Sequence, residues 1–222
     1  SGSSAEPAIR SRMAEINNIR IAGPVTWYQN WAPQAGRESW GGILALRVAL
    51  PADQIHFPET NNLVTPIGQE LFVQVKYRQE DAGSPRMNYI TKVLESGTKS
   101  ICIKDGRIVR KTKKDGTENI FLQTKLNDIQ VSDSPTGIGA LNSAHVHGKI
   151  VKVHKDWVQI MTKTRNPKTK EWKEHFHTTL FAGSCNAAPA EGKYALVIGR
   201  VATEAENGQK IIYLAANDAF VF

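Results

Sequence analysis

The sequence predicts an all-β chain with one short helix, arranged as two five-stranded Greek-key barrels in tandem. Three observations carry that expectation. Apolar and polar residues alternate with period two along most of the chain, the pattern of half-buried strands. Helical periodicity occupies one stretch, Met87 to Leu94, with Gly97 as its stop. Five strand-like runs precede a segment rich in Ser, Pro and Gly, and five follow it.

Residues 1–12 are small and polar with no apolar core, so they read as a flexible tail or cloning scar rather than a secretory signal. Ile19, Ile21 and Val25 mark a first strand, Ile43 to Leu50 a second and Leu71 to Tyr77 a third. An aromatic loop, Trp27 to Trp31 and on to Trp40, joins the first two. Pro51 to Gly68 joins the next two, and a loop of that length is usually functional or mobile. After the helix come strands near Lys99–Arg110 and Asn119–Val131, with a basic hairpin turning on Asp115-Gly116. Ser132 to Asn142 has linker composition. The expected units are therefore residues 13–132, a linker at 133–142, and residues 143–222. In the second unit the runs are His145–His154, Trp157–Thr164, Trp172–Phe181, Tyr194–Val201 and Lys210–Ala216. Its turns fall at Asn166-Pro167 and Asn207-Gly208, and Gly183 to Gly192 stands where the helix would be.

The charge balance points to a polyanion. Lys and Arg number 28 against 21 Asp and Glu, a formal charge of +7 and a pI near 9.4. Nucleic acid is the first candidate and an acidic membrane surface the second. No apolar run approaches the roughly 18–20 residues that cross a bilayer. Cys102 and Cys185 fit no metal or redox spacing and read as buried free thiols of an intracellular protein. Catalytic signatures are missing: no Gly-Lys-Ser/Thr phosphate loop, no Gly-x-Ser-x-Gly elbow, no paired carboxylates. A binding protein is expected, without enzyme activity and without a cofactor.

Five strands with a helix between the third and fourth is the order of the OB-fold. Leu94 to Arg107 (LESGTKSICIKDGR) and Arg110 to Gly116 (RKTKKDG) resemble the helix end, fourth strand and basic hairpin of bacterial-type single-stranded-DNA-binding proteins. Lys170-Glu171-Trp172 with His177 to Gly183 (HTTLFAG) is similar to that family's third strand, where a Trp and a Phe commonly stack on bases. Ile198-Gly199-Arg200 and Asn207-Gly208-Gln209-Lys210 resemble its fourth and fifth strands. The departures are specific. Trp172 and Phe181 lie further apart than the family's pair, Leu71 stands where a Trp is expected, and Lys113 replaces an aromatic. The chain ends as strand, Asn217 to Phe222, without the family's acidic tail, so recruitment of partners through one is not expected. The resemblance implies single-stranded DNA as ligand, a role in replication, recombination or repair, and the cytoplasm or nucleoid of a bacterium or a phage-infected cell.

Such a binder needs flat rings for bases and cations for phosphates. Stacking contributes roughly 1–3 kcal/mol per base, and phosphate contacts add a salt-dependent term. Expected stacking residues are Trp172, Phe181, Tyr77, Trp27, Trp31 and Trp40. Arg47, Lys76 and Arg78 are expected on phosphates, with Arg107, Arg110, Lys111, Lys113 and Lys114 in one hairpin. Lys163, Arg165, Lys168, Lys170 and Lys173 populate a second. The Trp27–Trp40 cluster reads as an interface with nucleic acid or with another subunit. His145 with His147, and His175 with His177, share strand faces and could bind zinc or copper, but no Cys adjoins them and a metal site is not expected. Two barrels make a modest footprint, so self-association as a homodimer is expected. Three alternatives stand beside this reading: an OB-fold interaction or oligomerisation subunit of a nucleoprotein complex, an RNA binder, and a His-dependent metalloprotein.

Overall fold

The computed structural model describes residues 15–29, 39–48, 55–56, 63–64, 69–97, 100–132, 141–155, 157–206 and 209–222. The strands are β1 (Ile16–Gln29), β2 (Ser39–Trp40), β3 (Ile43–Val48), β4 (Ile55–His56), β5 (Leu63–Val64) and β6 (Gln69–Arg78). Helix α1 (Pro85–Glu95) follows, then β7 (Ser100–Thr112), β8 (Glu118–Lys125) and β9 (Ile129–Ser132). The rest of the chain gives β10 (Asn142–Val153), β11 (Trp157–Arg165), β12 (Trp172–Cys185), β13 (Tyr194–Glu206) and β14 (Gln209–Val221). Of the expected linker, Leu141 and Asn142 are described, and Asn142 already lies in strand. The Asn207-Gly208 turn lies outside the described residues, between strands whose register closes at Glu206↔Gln209.

Two barrels close as expected. The first runs β1-β3-β6-β8-β7 and returns to β1; the second runs β10-β11-β12-β14-β13 and returns to β10. The β6–β8 and β12–β14 pairs are parallel and the remaining barrel pairs antiparallel, as OB closure requires. α1 sits between the third and fourth strands of the first barrel. Ser84 caps it, its hydroxyl accepting from the Met87 N–H at 3.2 Å, and Pro85 starts it. Met87, Ile90 and Leu94, spaced three and four apart, go into the core, and Gly97 ends the run at φ 71°. In the second barrel residues 186–193 join β12 to β13 without a helix.

Two expectations are corrected. The run Asn119–Val131 is two strands, β8 and β9, broken by a turn at Leu126–Asp128. Leu126 turns into the core at 2 % exposure, and the Arg86 guanidinium donates to the Leu126 carbonyl at 3.2 Å and to that of Ile129. Cys102 is buried as expected, but Cys185 is exposed at the end of β12, where its thiol donates to the Ala187 carbonyl at 2.8 Å.

The barrels are one sheet. β1 and β10, the first strand of each, pair antiparallel from Ile16↔His147 to Ile21↔Asn142, with Ile19↔Ala144 between. Each central residue also faces a glycine of its own fourth strand: Ile19 lies opposite Gly106, and Ala144 opposite Gly199. Both ladders stop there, leaving the next fourth-strand residues, Ile108 and Val201, without a backbone partner on that side. An asparagine amide, which carries the donor and acceptor of a peptide group, fills each place. Asn142 Nδ2 donates to the Val201 carbonyl and its Oδ1 accepts the Val201 N–H, both at 2.8 Å. Asn17 does the same for Ile108, at 3.2 and 3.3 Å. Matching asparagines, glycines and clamped residues relate the two barrels by an approximate two-fold axis through the Ile19–Ala144 pair. One apolar cluster, from Ile19 to Val221, runs through both barrels, and each fully buried Ile or Leu in it contributes roughly 1.5–3 kcal/mol.

A second cluster, Leu180, Ala202, Tyr213 and Ala215, uses the alternate positions of β14, so both faces of that strand are buried. β14 lies against β8, and β12 against β7, which packs the second barrel onto the first.

Candidate nucleic-acid interface

The β11–β12 hairpin projects from the second barrel. Asn166 organises its turn: Oδ1 accepts from the Lys168 N–H at 2.9 Å, and the Asn166 N–H donates to the Glu171 carbonyl at 2.8 Å. Lys170 takes φ 63°, and its carbonyl accepts from Arg165 Nε at 3.3 Å. Arg165 lies opposite Trp172 in the ladder, and its guanidinium sits 5.9 Å from the indole centroid. The ring itself is 63 % exposed. A ring that holds a cation over one face and leaves this much surface in water can receive a base on the other. Lys163 is paired with Glu174 at 3.3 Å, whereas Lys168, Lys170 and Lys173 are exposed along the hairpin.

The first barrel's hairpin, β7–β8, turns through Lys113–Thr117. Asp115 Oδ1 accepts from the Thr117 hydroxyl at 2.6 Å and its N–H at 2.9 Å, which holds the carboxyl below the usual carboxylate range. Gly116 supplies the φ of 82° that the turn requires. Lys113 and Lys114 are exposed at the tip. Arg110 is neutralised by Glu118 at 2.5 Å, and Lys111 lies 5.6 Å from the Phe121 ring centroid. Burial, then the charges of Lys111 and Lys173, pushes Lys76 below the ordinary lysine value. Cations of both barrels thus lie near enough to act on Lys76.

The expected stacking residues are not all brought together. Tyr77 is corrected: it is a core residue, 3 % exposed, whose hydroxyl burial pushes up, so its ring presents no face to a ligand. Trp27 lies in β1, 44 % exposed and edge-on to Phe72 at 6.0 Å. The Trp40 backbone pairs with Tyr77. Trp31 lies outside the described residues, as do the side chains of Trp40, Arg78 and Phe181. Phe181 pairs with Ala216, while Trp172 sits nine residues earlier on β12, about 30 Å away along the strand. Arg47 is exposed on β3, away from the two hairpins in the ladder order.

The histidines are taken up by the fold. His175 and His177 share hydrogen bonds with Thr164 and Thr162, each at 2.8 Å, from buried positions on β12. Burial first, then Lys173 and Arg107, pushes His175 down to about 4; burial, then His175 and Arg110, pushes His177 down to about 3. His147 is buried against Tyr194 at 5.9 Å, whereas His145 is exposed, and β11 separates their strand from β12. Among the described residues no group of three or more His, Cys, Asp or Glu side chains could hold a metal.

Sequence reasoning missed the paired asparagines, Phe121 beneath Lys111, and Trp157 stacked on His154 at 5.1 Å with Lys152 above it. A repeated Asn-x-apolar on the first strands and Gly-x-β-branched on the fourth was the signal available for the first of these. No helix among the described residues is long and apolar enough to cross a membrane.

No family model matches the chain, and no curated protein matches it. Solved structures do. The crystal structure of wild-type single-stranded DNA binding protein from Thermus aquaticus aligns with a TM-score of 0.55 at 16 % identity, over 93 % of this chain and 92 % of that one. A deletion mutant of the same Thermus aquaticus protein, which also carries a substitution, aligns with a TM-score of 0.57 at 17 % identity, over 93 % and 94 %. At such identity the likeness is one of fold: this chain is an all-β pair of OB barrels built on the plan of those proteins along nearly its whole length.

Proposed function

We propose that the protein binds single-stranded DNA with little regard to sequence, as a non-catalytic coat during replication, recombination or repair in a nucleoid. The observation that carries this reading is Trp172, exposed at 63 % and braced by Arg165 beside a line of lysines. Bases would stack on the indole while Lys168, Lys170 and Lys173 neutralise phosphates. The fold shared with single-stranded DNA binding proteins supports the same assignment. Trp27 is a second candidate platform.

The reading includes self-association as a dimer. Tyr194 on β13, Phe220 on β14 and Phe222 just after it are 42 %, 41 % and 61 % exposed and supply apolar surface for it.

Intrinsic tryptophan fluorescence, titrated with mixed-sequence single strands and with duplex across a salt series, tests the assignment. Single strands should quench, bind more tightly than duplex, and weaken steeply with salt. Trp172→Ala should lose most of the quenching and roughly 5- to 150-fold in affinity, the equivalent of about 1–3 kcal/mol of stacking. Equal affinity for duplex, or an unaltered Trp172→Ala variant, sinks it. A ribo-oligonucleotide in the same titration separates DNA from RNA.

A further inference from the structure

We infer that a small inorganic anion such as chloride binds in the seam where β12 packs on β7, and ties the second barrel to the first. This does not depend on the single-strand reading.

The seam gathers hydrogen-bond donors. His177 and His175 are buried on β12, and each ring meets a threonine hydroxyl through Nε2 at 2.8 Å. Among the described residues the Thr162 hydroxyl has His177 as its one hydrogen-bond partner, and the Thr164 hydroxyl has His175. A buried hydroxyl without an acceptor is costly, so each threonine donates to its ring and the ring carries its proton on Nδ1. Both Nδ1 atoms are buried without a partner among the described residues, and so is Arg110 Nε on β7. Glu118 holds Arg110 through Nη1, which leaves the Nε–H as a separate donor. Three buried N–H groups at one seam thus need an acceptor from outside the chain.

The surrounding charge selects that acceptor. Beside burial, the groups that keep the imidazoles neutral are cations and each other: Lys173 and Arg107 at His175, His175 and Arg110 at His177. A water would bring two more donor protons to a place already crowded with them. A halide accepts from several N–H groups at once and offsets part of the positive field. The same field repels a metal cation, which neutral imidazoles could otherwise ligate.

The ion has a way in. A groove of about 370 Å³ borders the seam, lined by Arg107 of the first barrel and by Thr162 and Thr164 of the second. Its acids are already engaged: Glu15 accepts from the Lys163 N–H, and Asp105 from Asn18 Nδ2 at 2.7 Å. The seam itself is too closed for a nucleotide, with His177 2 % and His175 5 % exposed, so the occupant is a free ion. Bonded to β7 and β12 at once, that ion makes the packing of the barrels depend on the salt around them.

Replacing sodium gluconate by sodium chloride at constant ionic strength, with the full chain, tests the site. The chloride NMR line width should show an excess that saturates, and the melting temperature should rise along the same curve. Arg110→Lys keeps the charge facing Glu118 and removes the Nε–H. It should weaken chloride roughly tenfold or more, the loss of one charge-assisted hydrogen bond, and change the melting temperature in gluconate little. A crystal soaked in bromide needs no variant: an anomalous peak should lie within hydrogen-bond reach of His177 Nδ1 and Arg110 Nε. A response that does not saturate, one that Arg110→Lys leaves unaltered, or bromide found on exposed lysines alone means an adventitious ion only and overturns the site.

Discussion

His177, 2 % exposed, shares a hydrogen bond with Thr162 at one ring nitrogen, while its Nδ1 and that of His175 find no partner among the described residues. Two neutral imidazoles in that setting make stability depend on pH. Their folded-state values, about 4 and about 3, lie below the ordinary 6.5, so the unfolded chain binds more protons in between. Their contribution is complete above pH 6.5 and is lost as pH falls, at up to about 1.4 kcal/mol per pH unit for each ring, levelling off near their folded values. Urea midpoints between pH 7 and 4 should fall for the wild type and fall less for His177→Gln; parallel curves would refute the assignment. Period two showed that these rings share a face. It could not show that β7 of the other barrel packs over that end of β12, which turned a possible ligand pair into core. Tyr77 was misread for the same reason: alternation places an aromatic on a face and says nothing about what lies across from it.

Among the elements, the hairpins were the most legible, because Asp115-Gly116 and Asn166-Pro167 specify their turns from within a few residues. The helix was legible too, from apolar spacing and its glycine stop. The break between β8 and β9 was not, since it depends on Leu126 finding the core and on Arg86 reaching across from α1. The closure of the barrel depends on a similar contact. Gly199 sits where β13 leaves β10, and a Cβ there would lie 2.0 Å from the Ala215 carbonyl oxygen. Backbone must move to admit it. Gly199→Ala should therefore cost about 3 kcal/mol or more, a loss of many degrees in melting temperature. At Gly106, its counterpart, the nearest atoms a Cβ would meet belong to the Leu122 side chain, at 3.0 Å, so Gly106→Ala should cost clearly less. Equal losses would mean that the two corners are not built as described.

For the whole molecule, two five-stranded units could be counted from alternation and turns alone. Their arrangement could not, because the β1–β10 ladder and the packing of β12 on β7 join residues far apart in sequence. The basic hairpins do belong to separate barrels; what the sequence could not show is that the fold brings Arg107 and Lys163 to one groove. Shared sheet and shared apolar cluster predict that the barrels unfold together. Denaturation followed by fluorescence and by far-UV circular dichroism should give one coincident transition, and two resolved transitions would contradict it.

The two-fold pairing of β1 with β10 bears on solubility as well as on shape. A first strand standing alone would present a row of unmet N–H and C=O groups from Ile16 to Ile21, a template on which any other extended chain could add. Here the sister strand occupies that row from within the same polypeptide, at an effective concentration on the order of millimolar however dilute the protein is. Exchange of strands between molecules is thereby outcompeted, and the molecule is freed of its stickiest edge.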